Sequence, residues 1–109
     1  MTDVIKVLGQ LAPDATTATD LYTAPALAQV TCSSLVVCNR SASGVTFRVA
    51  VRPAGATLAN QHYLAYDKAL FGNDNEAMIY GMTLSETDVV TVYASDANLS
   101  FTLFGVETT

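Results

Sequence analysis

Strands, and no helices, are what the sequence predicts: an all-β domain. Three observations carry this. Apolar residues recur at every second position rather than with the helical period. Short runs rich in β-branched residues alternate with clusters of Gly, Asn, Asp, Ser and Pro. No window of a dozen residues makes a good amphipathic helix. About eight short strands at this spacing indicate an antiparallel β-sandwich, jelly-roll-like or immunoglobulin-like.

The elements follow in order. "VIKVLGQL" (4–11) reads as a strand closed by Ala12-Pro13-Asp14, and "DLYTA" (20–24) as a second, shorter one. "VTCSSLVVCN" (30–39) is β-branched-rich and runs into the turn-type cluster Asn39-Arg40-Ser41-Ala42-Ser43-Gly44. "GVTFRVAVRP" shows the clearest alternation, with Val45, Phe47, Val49 and Val51 on one side and Thr46, Arg48, Ala50 and Arg52 on the other. Strand 30–39 and the strand that follows it are expected to pair as a hairpin. "TLANQHYLAY" has room for a single helical turn. The remaining strands are "HYLAYD" (62–67), "AMIYGMTL" (77–84), "VVTVYAS" (89–95) and "LSFTLFGVE" (99–107), separated by turn signals such as Gly72-Asn73-Asp74-Asn75 and Ser85-Glu86-Thr87-Asp88. Val36, Phe47, Val49, Val51, Val90, Val92, Phe101 and Leu103 are the expected core.

With 109 residues and no long linker, the chain reads as one domain, 1–109. Half of the residues are hydrophobic and only 14% are charged, against about 25% in an average soluble domain. A small domain has a high surface-to-volume ratio and needs more polar surface than average, not less. Another chain is therefore expected to cover part of its apolar surface. The net charge of −5, with only 5 Lys and Arg, offers no cationic footprint for nucleic acid or for an anionic membrane. The N-terminal stretch "MTDVIKVLGQLAPDATTATD" lacks the basic and apolar regions of a signal peptide, which implies that the chain is made and used without export.

Candidates for chemistry are few. Cys32 and Cys38, six residues apart on one predicted strand, fall on the same face roughly 20 Å from each other. A disulfide needs Cα atoms within about 7 Å, so both are expected as free, buried thiols. Two such thiols and one histidine do not make a zinc site. His62, the only histidine, stands beside tyrosines and no nucleophile motif. Asp67, Asp74, Glu76, Glu86, Asp88 and Asp96 fall in or beside predicted turns and read as caps and solubilising charges. "GNDNEA" lacks the pattern of a twelve-residue calcium loop, and the chain has no phosphate-binding glycine loop. No catalytic, cofactor-binding or metal-binding residue is assigned.

Arginine offers more. Arg48 and Arg52 share the outward side of one strand, and Arg40 lies near the strand expected to pair with it. Arginine is favoured at ion-paired interfaces, so Arg40, Arg48 and Arg52 are the candidate interface residues, with Asp74, Glu76 or Asp88 of a neighbour as expected partners. Tyr63, Tyr66, Tyr80 and Tyr93 allow an alternative, a sugar-binding or host-adhesion module with a tyrosine platform.

The run "SSLVVCNRSASGVTFRVAVRPAGATLANQHYLAYD", followed by "TLSETDVVTVYASDANLSFTLFGVE", resembles a group of small structural proteins of tailed bacteriophages. The similarity extends from Val7-Leu8-Gly9-Gln10 to Glu107. One region departs from the group: after "AYD" this chain has Lys68 and then "NEAMIYGM". The resemblance implies a β-sandwich building block of a virion, a capsid decoration or a small tail or neck component, made in the host cytoplasm. It brings no catalytic residues. Its implied partners are other virion proteins and copies of the chain itself, with a trimer favoured.

Overall fold

Alternation commits each strand to one buried side, and two sheets close over the side chains so collected. The computed structural model of the chain describes residues 2–109. Among them are nine strands: β1 (Asp3–Leu11), β2 (Thr19–Thr23), β3 (Gln29–Asn39), β4 (Val45–Arg52), β5 (Tyr63–Leu70), β6 (Asn75–Met78), β7 (Thr83–Leu84), β8 (Val89–Ala94) and β9 (Leu99–Thr108). One sheet has the order β1-β9-β3-β6, with β7 also paired to β3; the other has the order β2-β8-β4-β5. All pairings are antiparallel. This order is that of a jelly roll, two interlocked Greek keys, and it decides between the two sandwich types that the sequence allows.

The core lies between the sheets. Phe47 of β4 and Phe101 of β9 meet edge to face, with ring centroids 6.2 Å apart. Leu35, Val37, Val49, Val90, Val92, Leu99 and Leu103 fill the space around them and are buried. Burying a side chain of this kind is worth about 1.5–3 kcal/mol, and these few dominate the stability of so small a domain. Gly9 lets β1 pass close to β2, since a Cβ there would collide with the carbonyl of Leu21.

Each open side of the sandwich carries a charged pair on the inward rows, with at least one member on an edge strand. Where β1 and β2 run along one side, Lys6 Nζ lies 3.3 Å from Glu107 Oε1, and Tyr22 donates its hydroxyl to Glu107 Oε2. Where β5 and β6 run along the other, Lys68 Nζ lies 3.4 Å from Glu76 Oε1. Inward-pointing charges on edge strands discourage a foreign strand from adding to the sheet.

Four expectations are corrected. Residues 30–39 and 45–52 are strands but form no hairpin: β3 belongs to one sheet and β4 to the other. The turn-type cluster between them is an inter-sheet corner organised by the buried Asn39. Its Nδ2 donates to the carbonyls of Ser43 (2.8 Å), Phe71 (3.1 Å) and Leu70 (3.4 Å), and its Oδ1 accepts from the backbone N–H (3.0 Å) and the hydroxyl (2.8 Å) of Ser41.

The second correction concerns the two thiols. A register shift between Cys32 and Ser34 in the pairing with β9 puts an extra residue into β3. The shift inverts the alternation beyond it, so Cys32 points inward and is buried while Cys38 points outward and is exposed. Val36, expected in the core, shares the outward side with Cys38, and Leu35 and Val37 take the core positions. Both cysteines are free.

The third concerns 77–84, which is two strands rather than one. Gly81, at φ 68°, interrupts it between β6 and β7. The fourth concerns β4. Val51 is only partly buried, and the outward-facing Ala50 is buried. The connection 53–62, with its 3-10 turns Pro53–Gly55 and Asn60–His62, folds back over β4 and β8 and covers that end of the outer surface.

Candidate interaction surfaces

The outer surface of the β2-β8-β4-β5 sheet holds most of the arginine chemistry. Arg48, outward on β4, donates Nε to Asp67 Oδ1 (2.7 Å) and Nη2 to Asp67 Oδ2 (3.3 Å). This is a fork on a β5 carboxylate, the strong form of the pair. The Arg48 guanidinium carbon lies 4.1 Å from the ring centroid of Tyr66 and 4.2 Å from that of Tyr93, within range for a cation on an aromatic face. Tyr63 meets Tyr66 edge to face at 4.9 Å. Three of the four tyrosines singled out in the sequence thus gather around one arginine. Tyr80 lies elsewhere, its hydroxyl on the sulfur of Met78 at 3.0 Å.

Arg52 is held as firmly. Its Nη2 reaches Asp20 Oδ1 on β2 (2.9 Å), its Nε reaches Thr91 Oγ1 on β8 (3.0 Å), and its Nη1 reaches the carbonyls of Gly55 (3.1 Å) and Ala56 (2.9 Å). Arg40, on the corner after β3, donates Nη2 to the carbonyl of Ala97 at 3.1 Å. The three arginines therefore do not form one cluster. Arg48 and Arg52 pair with carboxylates of their own chain, Asp67 and Asp20.

The other candidates have local roles. His62 Nδ1 accepts the backbone N–H of Ala59 at 3.0 Å and caps a 3-10 turn. Asp88 accepts the N–H groups of Ala54 (2.8 Å) and Ser85 (2.9 Å). Asp96 accepts that of Asn98 (2.8 Å) and Glu86 that of Leu27 (2.6 Å). These are the capping roles their positions suggest. Two shallow clefts lie at one end of the sandwich. One, of about 320 Å³, is lined by Leu27, Ala28, Gln29, Ser85 and Glu86; the other, of about 310 Å³, lies between β3 and β7 beside Asp88. His62 lines neither. Among the described residues no group of three His, Cys, Asp or Glu could hold a metal ion, and no helix is long and apolar enough to cross a membrane.

The outer surface of the β1-β9-β3 sheet is of a different character. In register across it stand Ile5 and Val106, then Val7, Phe104 and Ser34, then Gln10, Thr102 and Val36, with Cys38 and Ser100 beyond. Ile5 is 85% exposed and Phe104 36%. Of the ten acidic and five basic residues in the chain, only Asp3 stands on this surface, at one corner, where it accepts the hydroxyl of Thr108 at 2.8 Å. The others lie in loops, on the opposite sheet or on the inward rows at the open sides. Assigning Val36 and Cys38 to the core hid this surface in the sequence. A signal was present nonetheless: "LSFTLFGVE" is apolar at both parities, so burying Phe101 and Leu103 leaves Phe104 and Val106 outside.

No protein-family model matches the chain, and no curated protein matches it either.

Proposed function

We propose that the chain is a non-enzymatic structural subunit of a tailed-bacteriophage particle, a capsid decoration or a small tail or neck component. It acts by assembling with copies of itself and with other virion proteins. The observation that carries this reading is the exposed apolar surface. Ile5, Val7 and Phe104, each more than a third exposed, stand together on the outer surface of the β1-β9-β3 sheet, on a chain of 109 residues with few charges to solvate it. An exposed apolar patch of this kind marks a site where another chain packs. The sequence resemblance points the same way, and the jelly roll is a fold used by viral coat and lectin domains, although a fold alone assigns no function.

The alternative, a carbohydrate-binding module, has the tyrosine group on the opposite sheet in its favour. There, however, the Arg48 guanidinium already stacks on Tyr66 and Tyr93, where a sugar ring would pack.

Mass spectrometry of purified particles of the phage that encodes the chain tests the proposal. The chain should be present in fixed proportion to the major coat protein. Its absence from particles, while it accumulates in the infected cell, would overturn the assignment.

A further inference from the structure

We infer that the nearly uncharged outer surface of the β1-β9-β3 sheet is a self-association interface, packing against the same surface of a second copy of this chain. The inference rests on the assembly reading and names the surface and the partner that reading leaves open.

Charge selects the partner. A chain of net charge −5 repels its own copy, and any contact between copies that brings acidic groups together opposes assembly. The opposite sheet carries Asp20 and Asp67 on its outer surface, and the loops carry most of the remaining acids. The β1-β9-β3 surface, whose one acid, Asp3, sits at a corner, lets two copies approach broadly with the least repulsion. A strongly basic or acidic partner would find little charge there to steer it or fix its register.

Composition favours this contact, and the footprint sets its size. The strands β1, β9 and β3 at about 4.8 Å spacing, along some ten residues at about 3.3 Å each, give a flat footprint of roughly 500 Å², toward the small end of specific interfaces. A standard interface buries about 800 Å² on each partner. The centre of the surface is apolar, with Ile5, Val7, Val36, Phe104 and Val106, and hydroxyls surround it. Two flat sheets stack this way in a sandwich, with interdigitating rows about 10 Å apart. A surface packed on its own copy is isologous and closes on a two-fold axis. A dimer, or an assembly of dimers, is therefore expected in place of the trimer that the sequence resemblance implies.

Cys38 is a built-in reporter. It stands on this surface and is exposed in the single chain, while Cys32 is buried in the core. The wild-type chain should scatter light as a dimer or an even multiple at tens of micromolar, and Cys38 should resist a maleimide there. On dilution to single chains, labelling should rise from none to one thiol per chain. Phe104→Lys and Ile5→Lys should reduce the mass to that of one chain and expose Cys38, with circular dichroism unchanged. Phe71→Lys, an exposed apolar position off this surface, should change neither. The wild-type labelling needs no variant, so it decides the matter even if a substitution impairs folding. An oligomer in which Cys38 labels fully, or a trimer, would overturn the face-to-face contact and leave the assembly reading standing. A wild-type single chain at every concentration would overturn both.

Discussion

Tyr22 on β2 donates its hydroxyl to the carboxylate of Glu107 on β9, and this bond ties the two sheets together across one open side of the sandwich. The Tyr22 hydroxyl, with help from Lys6, holds the Glu107 carboxyl below the usual carboxylate range. Burial, and then Glu107 itself, push Tyr22 above the usual tyrosine range. A carboxylate depressed in the folded state stabilises it above the ordinary carboxylate pKa, and that stability is lost as pH falls through the depressed value. A tyrosine raised in the folded state stabilises it below about pH 10, and that contribution is lost as pH rises further. Tyr22→Phe should lower stability at neutral pH by about 1–2 kcal/mol. It should also flatten both the acid and the alkaline limbs of a stability-versus-pH curve. Limbs as steep as in the wild type would show that the bond does not link the sheets.

The extra residue in β3 sets which residues face the core. Leu35→Ala should cost about 2–5 kcal/mol as a cavity-forming change. Val36→Thr, on the outward row, should stay within about 0.5 kcal/mol when measured on the single chain in urea. The reverse order of losses would return Val36 to the core and remove the register shift.

Cys32 should be inert. Burial pushes its thiol up to about 11, so little thiolate is present at pH 8. Iodoacetamide should modify Cys32 only after unfolding in guanidinium, as mass spectrometry of tryptic peptides would show. Modification of Cys32 in the native protein at the rate of a free thiol would contradict its place in the core.

Asn39 carries the corner between β3 and β4. Its amide faces three carbonyls, which an aspartate cannot serve. Asn39→Ala, which strands those groups in a buried site, should cost at least about 2 kcal/mol. Asn39→Asp should be less stable at pH 7 than at pH 4.5, because the ionised form would set a negative charge against the oxygens of Ser43, Leu70 and Phe71. An Asn39→Asp chain equally stable at both pH values would mean that the corner is solvated.

The strands themselves were legible because period two needs only local sequence. "TFRVAVR" and "VVTVYA" show it plainly, and Phe47, Val49, Val90, Val92, Phe101 and Leu103 are buried as expected. What was illegible depends on residues far apart in the chain. The shift at Cys32–Ser34 is a relation between β3 and β9, and nothing in the Ser33-Ser34 pair signals it. Asp67 and Asp20 lie far from Arg48 and Arg52 in the chain, so their ion pairs with these arginines could not be read from local sequence. The two-sheet order, which makes a jelly roll of strands that would equally suit an immunoglobulin-like sandwich, is likewise a long-range property. The nearly uncharged outer surface came into view only once the register of β3 was known, since Val36 and Cys38 lie on it.

The central claim is that this chain works by assembly, and sedimentation equilibrium of the wild-type protein at tens of micromolar tests it most directly. The account predicts the mass of a discrete oligomer that falls toward that of a single chain on dilution. The mass of a single chain at every concentration would contradict it.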